Sequence, residues 1–220
     1  MCPLSLHTVL PISRKSVYAW FMTFFEDLPV PPERPRHTQP IPPAWVGPPT
    51  DELPGVVPVS GFVYSSDRMA LALKSVDVYS TGCVLDMVWT VRRGDQTANE
   101  WRDAMDKALT PRGPFQQGLD GLLVGVGYPN GRKAFAGVVE PGLDDDVTGP
   151  VLTPLGGGGS GGNDEYLQGS SRYWLWPLPQ DGEAVLVARW EGLGMQESSI
   201  PLPVERFPEA ASRVRKFWVE

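Results

Sequence analysis

Six carboxylates are the side chains of this chain best suited to chemistry. Paired Asp or Glu residues at a suitable separation cleave glycosidic bonds, one as the acid and the other as base or nucleophile. Several hard oxygens on a flexible loop also suit calcium. An Asp run beside Gly and Pro is, however, typical of a solvated turn, and the EF-hand pattern is absent. We therefore expect solvated turns and assign no catalytic, cofactor-binding or metal-binding residue among Asp120, Asp144, Asp145, Asp146, Asp164 and Glu165.

The stretch Gly156 to Gly162 consists of glycine apart from Ser160. Gly156, Gly158 and Gly161 satisfy the spacing G-x-G-x-x-G, but any glycine tract does so. No lysine follows to hold a phosphate, and the neighbouring carboxylates would repel one. Gly-Ser tracts behave as flexible coil. The sequence therefore predicts a mobile, solvent-facing loop with no bound nucleotide.

Histidine and cysteine are scarce in this chain. The histidines are His7 and His37, both ahead of the predicted domain, which argues against Ser-His-Asp, Cys-His and histidine-rich metal sites. The cysteines are Cys2 and Cys83, so no disulfide framework or zinc spacing can be built. Cys83 lies among apolar residues, and we expect it to be a buried small side chain in a reducing, cytoplasmic protein.

Three tryptophans, Trp174, Trp176 and Trp190, could in principle stack on sugar rings. In the segment RYWLWPLP, however, Trp174 and Trp176 fall on the same face of an extended chain, and Leu175 makes the other face apolar as well. Strands that are apolar on both faces are typical of an interior. We therefore predict that Trp174 and Trp176 belong to the core.

The charge of the chain restricts its partners. Its formal net charge is −7, and no basic residue lies between Lys133 and Arg172. This balance argues against a nucleic-acid footprint and against an anionic membrane surface. The apolar run from Val17 to Phe25 is too short to span a bilayer, and no cleavage pattern follows it. We expect a protein partner, and neither nucleic acid nor membrane.

Strand patterns dominate the chain from Val56 onward. MALALKSVDVYS and CVLDMVWTVRR predict a hairpin. In the second segment every second residue from Cys83 to Val91 is apolar, and polar residues occur on the opposite face, as in a half-buried antiparallel strand. Further predicted strands are GLLVGVGYP, RKAFAGVVE after Asn130-Gly131, RYWLWPLP, and EAVLVARW after Asp181-Gly182. Asn-Gly and Asp-Gly supply the positive backbone angles of tight hairpins.

Two helices interrupt the strands. Thr97 and Glu100 form a capping box, and an apolar stripe follows before Thr110-Pro111 ends the helix. Near the C-terminus, Pro208 suits a first helical turn, and apolar residues recur at helical spacing as far as Trp218. The stripe of the first helix comprises Trp101, Ala104, Met105, Ala108 and Leu109.

The pattern predicts a mainly β protein, an antiparallel β-sandwich with one inserted helix and one C-terminal helix; a partly open β-barrel is the alternative. Residues 1–21 form a doubtful extension because Met22 offers a second translation start. Residues 22–55 form a proline-rich arm pinned by Trp45, and residues 56–220 form a single β-rich domain.

The segments PPERPRHTQPIPPAW, PLGGGGSGGNDEY, VLVARWEGLGMQES and AASRVRKFW resemble a group of uncharacterised proteins from high-GC Gram-positive bacteria. The resemblance covers most of the chain after Met22 and implies a shared architecture, but no activity or site residue.

Two classes of function remain. The sequence favours a non-enzymatic β-sandwich that acts as a protein-binding or structural component, with the sheet edges, acidic loop and proline-rich arm as contacts. The alternative is a carboxylate-dependent glycoside hydrolase or a carbohydrate-binding module.

Overall fold

The structure is a computed structural model that describes residues 42–109, 121–137, 147–156, 158–180 and 182–218. Its larger sheet has six strands in the order β2-β3-β4-β9-β7, and β8 also pairs with β9. All neighbours in this sheet are antiparallel. Its strands are β2 (Gly55–Ser65), β3 (Met69–Val78), β4 (Cys83–Arg92), β7 (Val151–Leu155), β8 (Ser160–Gly162) and β9 (Tyr166–Trp176).

The smaller sheet has four antiparallel strands in the order β11-β10-β5-β6. They are β5 (Leu123–Gly127), β6 (Lys133–Phe135), β10 (Val185–Trp190) and β11 (Met195–Pro201). The Asn130-Gly131 turn joins β5 and β6 as a hairpin, as its sequence predicts. Gly131 has a φ of 82°, which is the left-handed conformation that glycine adopts without strain.

The inner faces of the two sheets enclose one large apolar core. Leu71, Leu85 and Leu186 are fully buried in it. Trp89 of the larger sheet meets Trp190 of the smaller one edge to face, with ring centroids 5.4 Å apart. The described strands form a sandwich of two antiparallel sheets and no closed barrel, so the mainly β prediction is confirmed.

The inserted helix α1 (Ala98–Leu109) forms where the capping box predicts it. The Thr97 backbone N–H and hydroxyl both donate to Glu100 Oε2, each at 2.8 Å. Trp101, Ala104 and Ala108 are buried against the sheets. No helix within the described ranges is long and apolar enough to cross a membrane.

The C-terminal helix is much shorter than its apolar spacing predicts. Helix α2 (Phe207–Ala211) follows a single 3-10 turn (Val204–Arg206), and the chain then extends into β12 (Arg215–Lys216). The predicted helical face as far as Trp218 is therefore wrong: Trp218 is 77% exposed. The competing interaction is tertiary, because β12 pairs with β1 (Glu52–Leu53) instead of continuing the helix.

The Asp181-Gly182 pair also differs from its prediction. Asp181 lies outside the described residues, and the strands on either side, β9 and β10, belong to different sheets and form no hairpin. Gly182 keeps the positive φ of 84° that its sequence context predicts. The positive φ of Gly182 therefore occurs where the chain passes from the larger sheet to the smaller one.

Packed structure begins upstream of residue 56. Trp45 is buried, and Glu52 is 5% exposed although it carries a carboxylate. Ser80 donates to Glu52 through its backbone N–H at 3.0 Å and its hydroxyl at 2.6 Å, and Lys216 Nζ lies 3.1 Å from the same carboxylate. The end of the predicted arm is therefore attached to the sandwich, while residues 1–41 lie outside the described residues.

Candidate functional site on the outer sheet face

The outer face of the larger sheet divides into three zones along β4 and β9. Residue pairs fix the order, since Val84 lies opposite Trp174, Asp86 opposite Arg172, and Val88 opposite Ser170. We name these zones the covered zone, the charged band and the open groove. Side chains point to this face at every second residue, so the zones follow one another along the same strands.

The covered zone is a small second core. Trp174, Val84 and Tyr79 are buried there, with Leu155 and Trp176 packed against them. Trp174 Nε1 donates to the backbone oxygen of Ala44 at 2.9 Å, and Tyr79 meets Trp174 edge to face. The segment that precedes β1 therefore contacts this end of the sheet. The prediction that Trp174 is a core residue is confirmed, whereas Trp176 is only partly buried.

The charged band crosses the middle of the face. Lys74 Nζ lies 3.2 Å from Asp86 Oδ2, and an Arg172 guanidinium nitrogen lies 3.5 Å from Asp77 Oδ2. Burial raises the pKa of Asp77, and the nearby Asp86 carboxylate adds to this, while Arg172 and Lys74 oppose both effects. Two carboxylates and two cationic side chains thus form two ion pairs on the sheet surface.

The open groove lies beyond the band and has a volume of about 630 Å³. Small side chains form its floor, among them Ala70, Ala72 and Ser170. Phe62 lines it and is 63% exposed. Gly159, Ser160 and Gly161 also line it, from β8 and the residue before β8. The groove is an apolar depression with hydroxyl, amide and backbone groups around it.

The glycine-rich stretch differs from the predicted loop. Residues 160–162 form the short strand β8, which pairs with residues 167–169 of β9, although all three residues are exposed as expected. Extended glycines can approach a neighbouring backbone more closely than other residues. A Cβ on Gly158 would lie 2.4 Å from the Ser170 oxygen, and one on Gly162 would lie 2.2 Å from the Tyr166 oxygen. These glycines therefore permit close strand contact.

The carboxylates singled out by sequence do not form a site in the described residues. Asp164 and Glu165 are exposed on the turn between β8 and β9. Asp120, Asp144, Asp145 and Asp146 lie outside the described residues. Sequence reasoning missed Asp77 and Asp86, and the available signal was an acid inside each of the two apolar strand patterns, SVDVYS and CVLDMVW.

A second cleft of about 580 Å³ lies beside α1. Charges of both signs line it, including Arg68, Asp103 and Lys107. The side-chain oxygen of Gln96, another lining residue, is buried without a hydrogen-bond partner among the described residues. This cleft presents exposed charges of mixed sign and no converging set of reactive groups.

The remaining candidate residues lie in the core or outside the described residues. Cys83 is fully buried, as predicted, and burial raises the pKa of its thiol. Trp190 is a core residue and cannot stack on a sugar. His7, His37 and Cys2 lie outside the described residues. No group of three or more His, Cys, Asp or Glu in the described ranges could hold a metal ion.

Of these two depressions in the described surface, the open groove has the more apolar lining. Comparison of this chain with protein-family models, with curated proteins and with solved structures finds no match.

Proposed function

We propose that this protein is a non-enzymatic binding component whose partner is another protein, contacted through the open groove. One observation carries the proposal: an apolar depression of about 630 Å³ on an uncovered sheet face, with the exposed ring of Phe62 beside it. Exposed aromatic side chains and apolar depressions are enriched at protein contact surfaces. Ala70 and Ala72 leave room for the side chains of a partner.

The chemistry of the charged band supports binding over catalysis. A glycosidase needs one carboxylate that holds a proton and another that stays ionised, on opposite sides of a bond. Here Asp77 and Asp86 lie on adjacent strands of one surface, and each lies within 4.0 Å of a cationic side chain. Charges of this kind fix the orientation of a protein partner.

The alternative function, a glycoside hydrolase or carbohydrate-binding module, has less support. A sugar platform requires aromatic faces open to solvent. Trp174 and Trp190 are buried, and Trp176 is partly buried against the covered zone. Phe62 is the exposed aromatic side chain that lines the groove, and its ring alone is a small platform.

The test uses a matched pair of exposed phenylalanines on different sheets. Phe62 is 63% exposed in the larger sheet, and Phe135 is 54% exposed in the smaller sheet. A photo-crosslinking amino acid is placed at each position in turn in the full chain expressed in its native cell. We expect a discrete protein adduct from position 62 and none of the same mass from position 135.

The competing variants are Phe62→Ser and Phe135→Ser. We expect Phe62→Ser to weaken binding of the crosslinked protein by about tenfold or more, as for an aromatic anchor at a contact. Phe135→Ser should leave its affinity unchanged. Equal adducts from both positions, or retention on insoluble polysaccharide that Phe62→Ser abolishes, would count against the protein-binding proposal.

A further inference from the structure

The pairing of β8 with β9 determines where the backbone groups of β8 point. Asn163 N donates to Tyr166 O at 2.9 Å, and Ser170 N donates to Gly159 O at 2.9 Å. Hydrogen-bonded pairs alternate with non-bonded pairs in an antiparallel ladder. The register therefore makes Gly161 and Gln168 the bonded pair between these two. Ser160 and Gly162 occupy the non-bonded positions.

Ser160 and Gly162 consequently direct their N–H and C=O groups away from β9. No further strand pairs with β8 among the described residues, and all three residues of β8 are exposed. Two donors and two acceptors thus form a ladder edge that faces solvent. An extended chain laid beside β8 can satisfy all four groups.

The three-residue edge of β8 carries neither Pro nor a charged side chain. Protected edges carry Pro, charged side chains or inward-pointing charges. Pro154 supplies such protection on β7, whereas β8 consists of one serine and two glycines. A Cβ added to Gly161 would meet no atom within 4 Å, so the space beside this residue is open.

The turn that follows β8 is acidic and favours a partner with a basic residue. Asp164 and Glu165 are exposed there, and neither is within 4.0 Å of a cationic side chain in the described part of the chain. The sequence holds no basic residue between Lys133 and Arg172. A basic residue at the matching end of an added strand would therefore find complementary charge.

We propose that the partner inserts an extended segment that adds a β-strand to the edge of β8 and carries a basic residue against Asp164 and Glu165. This inference rests on the proposed protein-binding function and specifies its mode. Gly159, Ser160 and Gly161 line the open groove as well, so a chain on this edge lies next to it. Alternate side chains of the added strand face the groove, and the backbone supplies the ladder.

The experiment selects a phage-displayed library of random peptides of about ten residues on the full chain, a length that spans one ordinary strand. We expect enriched peptides with alternating β-branched residues and a Lys or Arg near one end. Amide hydrogen exchange at Ser160 and Gly162 should slow when such a peptide binds, because their N–H groups become bonded. The Gly161 amide, which faces β9, should change less.

Two substitutions test whether the selected peptides bind the edge of β8 or another part of the surface. Ser160→Pro removes one outward N–H and places a ring on the edge, and it should weaken the selected peptides by about tenfold or more. Gly127→Ala is the control, since Gly127 lies on β5 in the smaller sheet, away from the groove, and its added methyl also meets open space. Glu165→Lys provides a second variant that leaves the edge intact and should weaken basic peptides selectively.

The outcomes distinguish this inference from the proposed function. If the library enriches no peptide on the parent protein relative to a surface coated with the Ser160→Pro variant, strand addition is wrong. If a protein crosslinks at Phe62 and binds the Ser160→Pro variant as tightly as the parent chain, the protein-binding function is supported but strand addition to β8 is wrong. Pairing of β8 with a second copy of this chain would give a dimer that Ser160→Pro dissolves, and that result would overturn the assignment of a different partner.

Discussion

The covered zone and the open groove occupy the same face of the same strands, yet one is buried and the other is open. Trp174 and Ser170 are both outward residues of β9, and Val84 and Val88 are both outward residues of β4. At one end the side chains are large and a segment of chain lies against them. At the other end they are small and only partly buried.

Side-chain size explains the difference. Exposing an indole such as that of Trp174 leaves a large apolar area in contact with water, so folding favours any segment that can cover it. Ala70 and Ala72 expose little apolar area and gain little from a cover. A sheet face of small residues can therefore stay open in the unbound protein and remain available to a partner.

The charged band separates the two zones. Lys74, Asp77, Asp86 and Arg172 are ion-paired on the sheet surface, and paired charges resist being covered by apolar chain because covering them removes their hydration. The band therefore marks the limit of the second core. It also places oriented charge at one end of the groove.

The largest expected effect is in the covered zone. We expect Trp174→Ala to lower the free energy of unfolding by about 3 to 5 kcal/mol, the range for emptying a buried large aromatic site. Trp174 is fully buried and would also leave the Ala44 oxygen without its donor. Urea unfolding monitored by circular dichroism measures the change.

Trp218→Ala is the control for that measurement, because Trp218 is 77% exposed and its loss should change stability by no more than about 0.5 kcal/mol. Similar losses in the two variants would mean that the covered zone is not a packed core.

An intermediate effect is expected at Glu52, which attaches the chain upstream of β2 to the β3–β4 turn. Glu52→Gln should lower the free energy of unfolding by about 1 to 3 kcal/mol, since it weakens hydrogen bonds from Ser80 to a buried charge and removes the ion pair with Lys216. Asp51→Asn is the matched control: Asp51 also bonds Lys216 but is half exposed, so no measurable loss is expected.

The pH dependence provides an independent check on Glu52. Burial opposes its ionisation, but hydrogen bonds from Ser80 and the contact with Lys216 outweigh burial and lower the pKa. A lowered pKa in the folded state means that the stabilisation is present above the unfolded pKa of about 4.3 and is lost as the pH falls below it. Between about pH 5 and pH 3 the parent protein should therefore lose more stability than Glu52→Gln. Parallel pH profiles would contradict the assignment.

The smallest expected effect is in the open groove. Phe62→Ser should change the free energy of unfolding by no more than about 0.5 kcal/mol, because Phe62 is 63% exposed and belongs to neither core. Phe135→Ser should behave in the same way. Thermal unfolding of both variants measures this, and a loss of about 2 kcal/mol or more at Phe62 alone would show that the groove is part of the packed structure.

Much of the fold could be predicted from local patterns. Alternation identified β3 and β4, and the capping box identified α1, because these features depend on residues close together in sequence. The site was less predictable. In the sequence, Asp77 and Asp86 are single acids within apolar strand patterns. Only the antiparallel register places them beside Arg172 and Lys74.

The glycine-rich stretch shows why local propensity failed where it did. Gly and Ser favour flexible coil by themselves, but Gly158 and Gly162 lie against the backbone of β9, and residues 160–162 become a strand. Likewise the apolar spacing as far as Trp218 fits a helix, yet the pairing of β12 with β1 ends helix α2 at Ala211.

The sequence by itself determined the extended segments that became β3, β4, β5 and β10, where α1 begins, that Trp174 is a core residue and that Cys83 is buried, because alternation, capping and side-chain chemistry are local properties. Only the tertiary structure decided which part of the outer face is covered, which acids meet which bases, and which backbone groups of β8 face solvent. Those features depend on strand order and register, which are set by contacts between residues far apart in the chain.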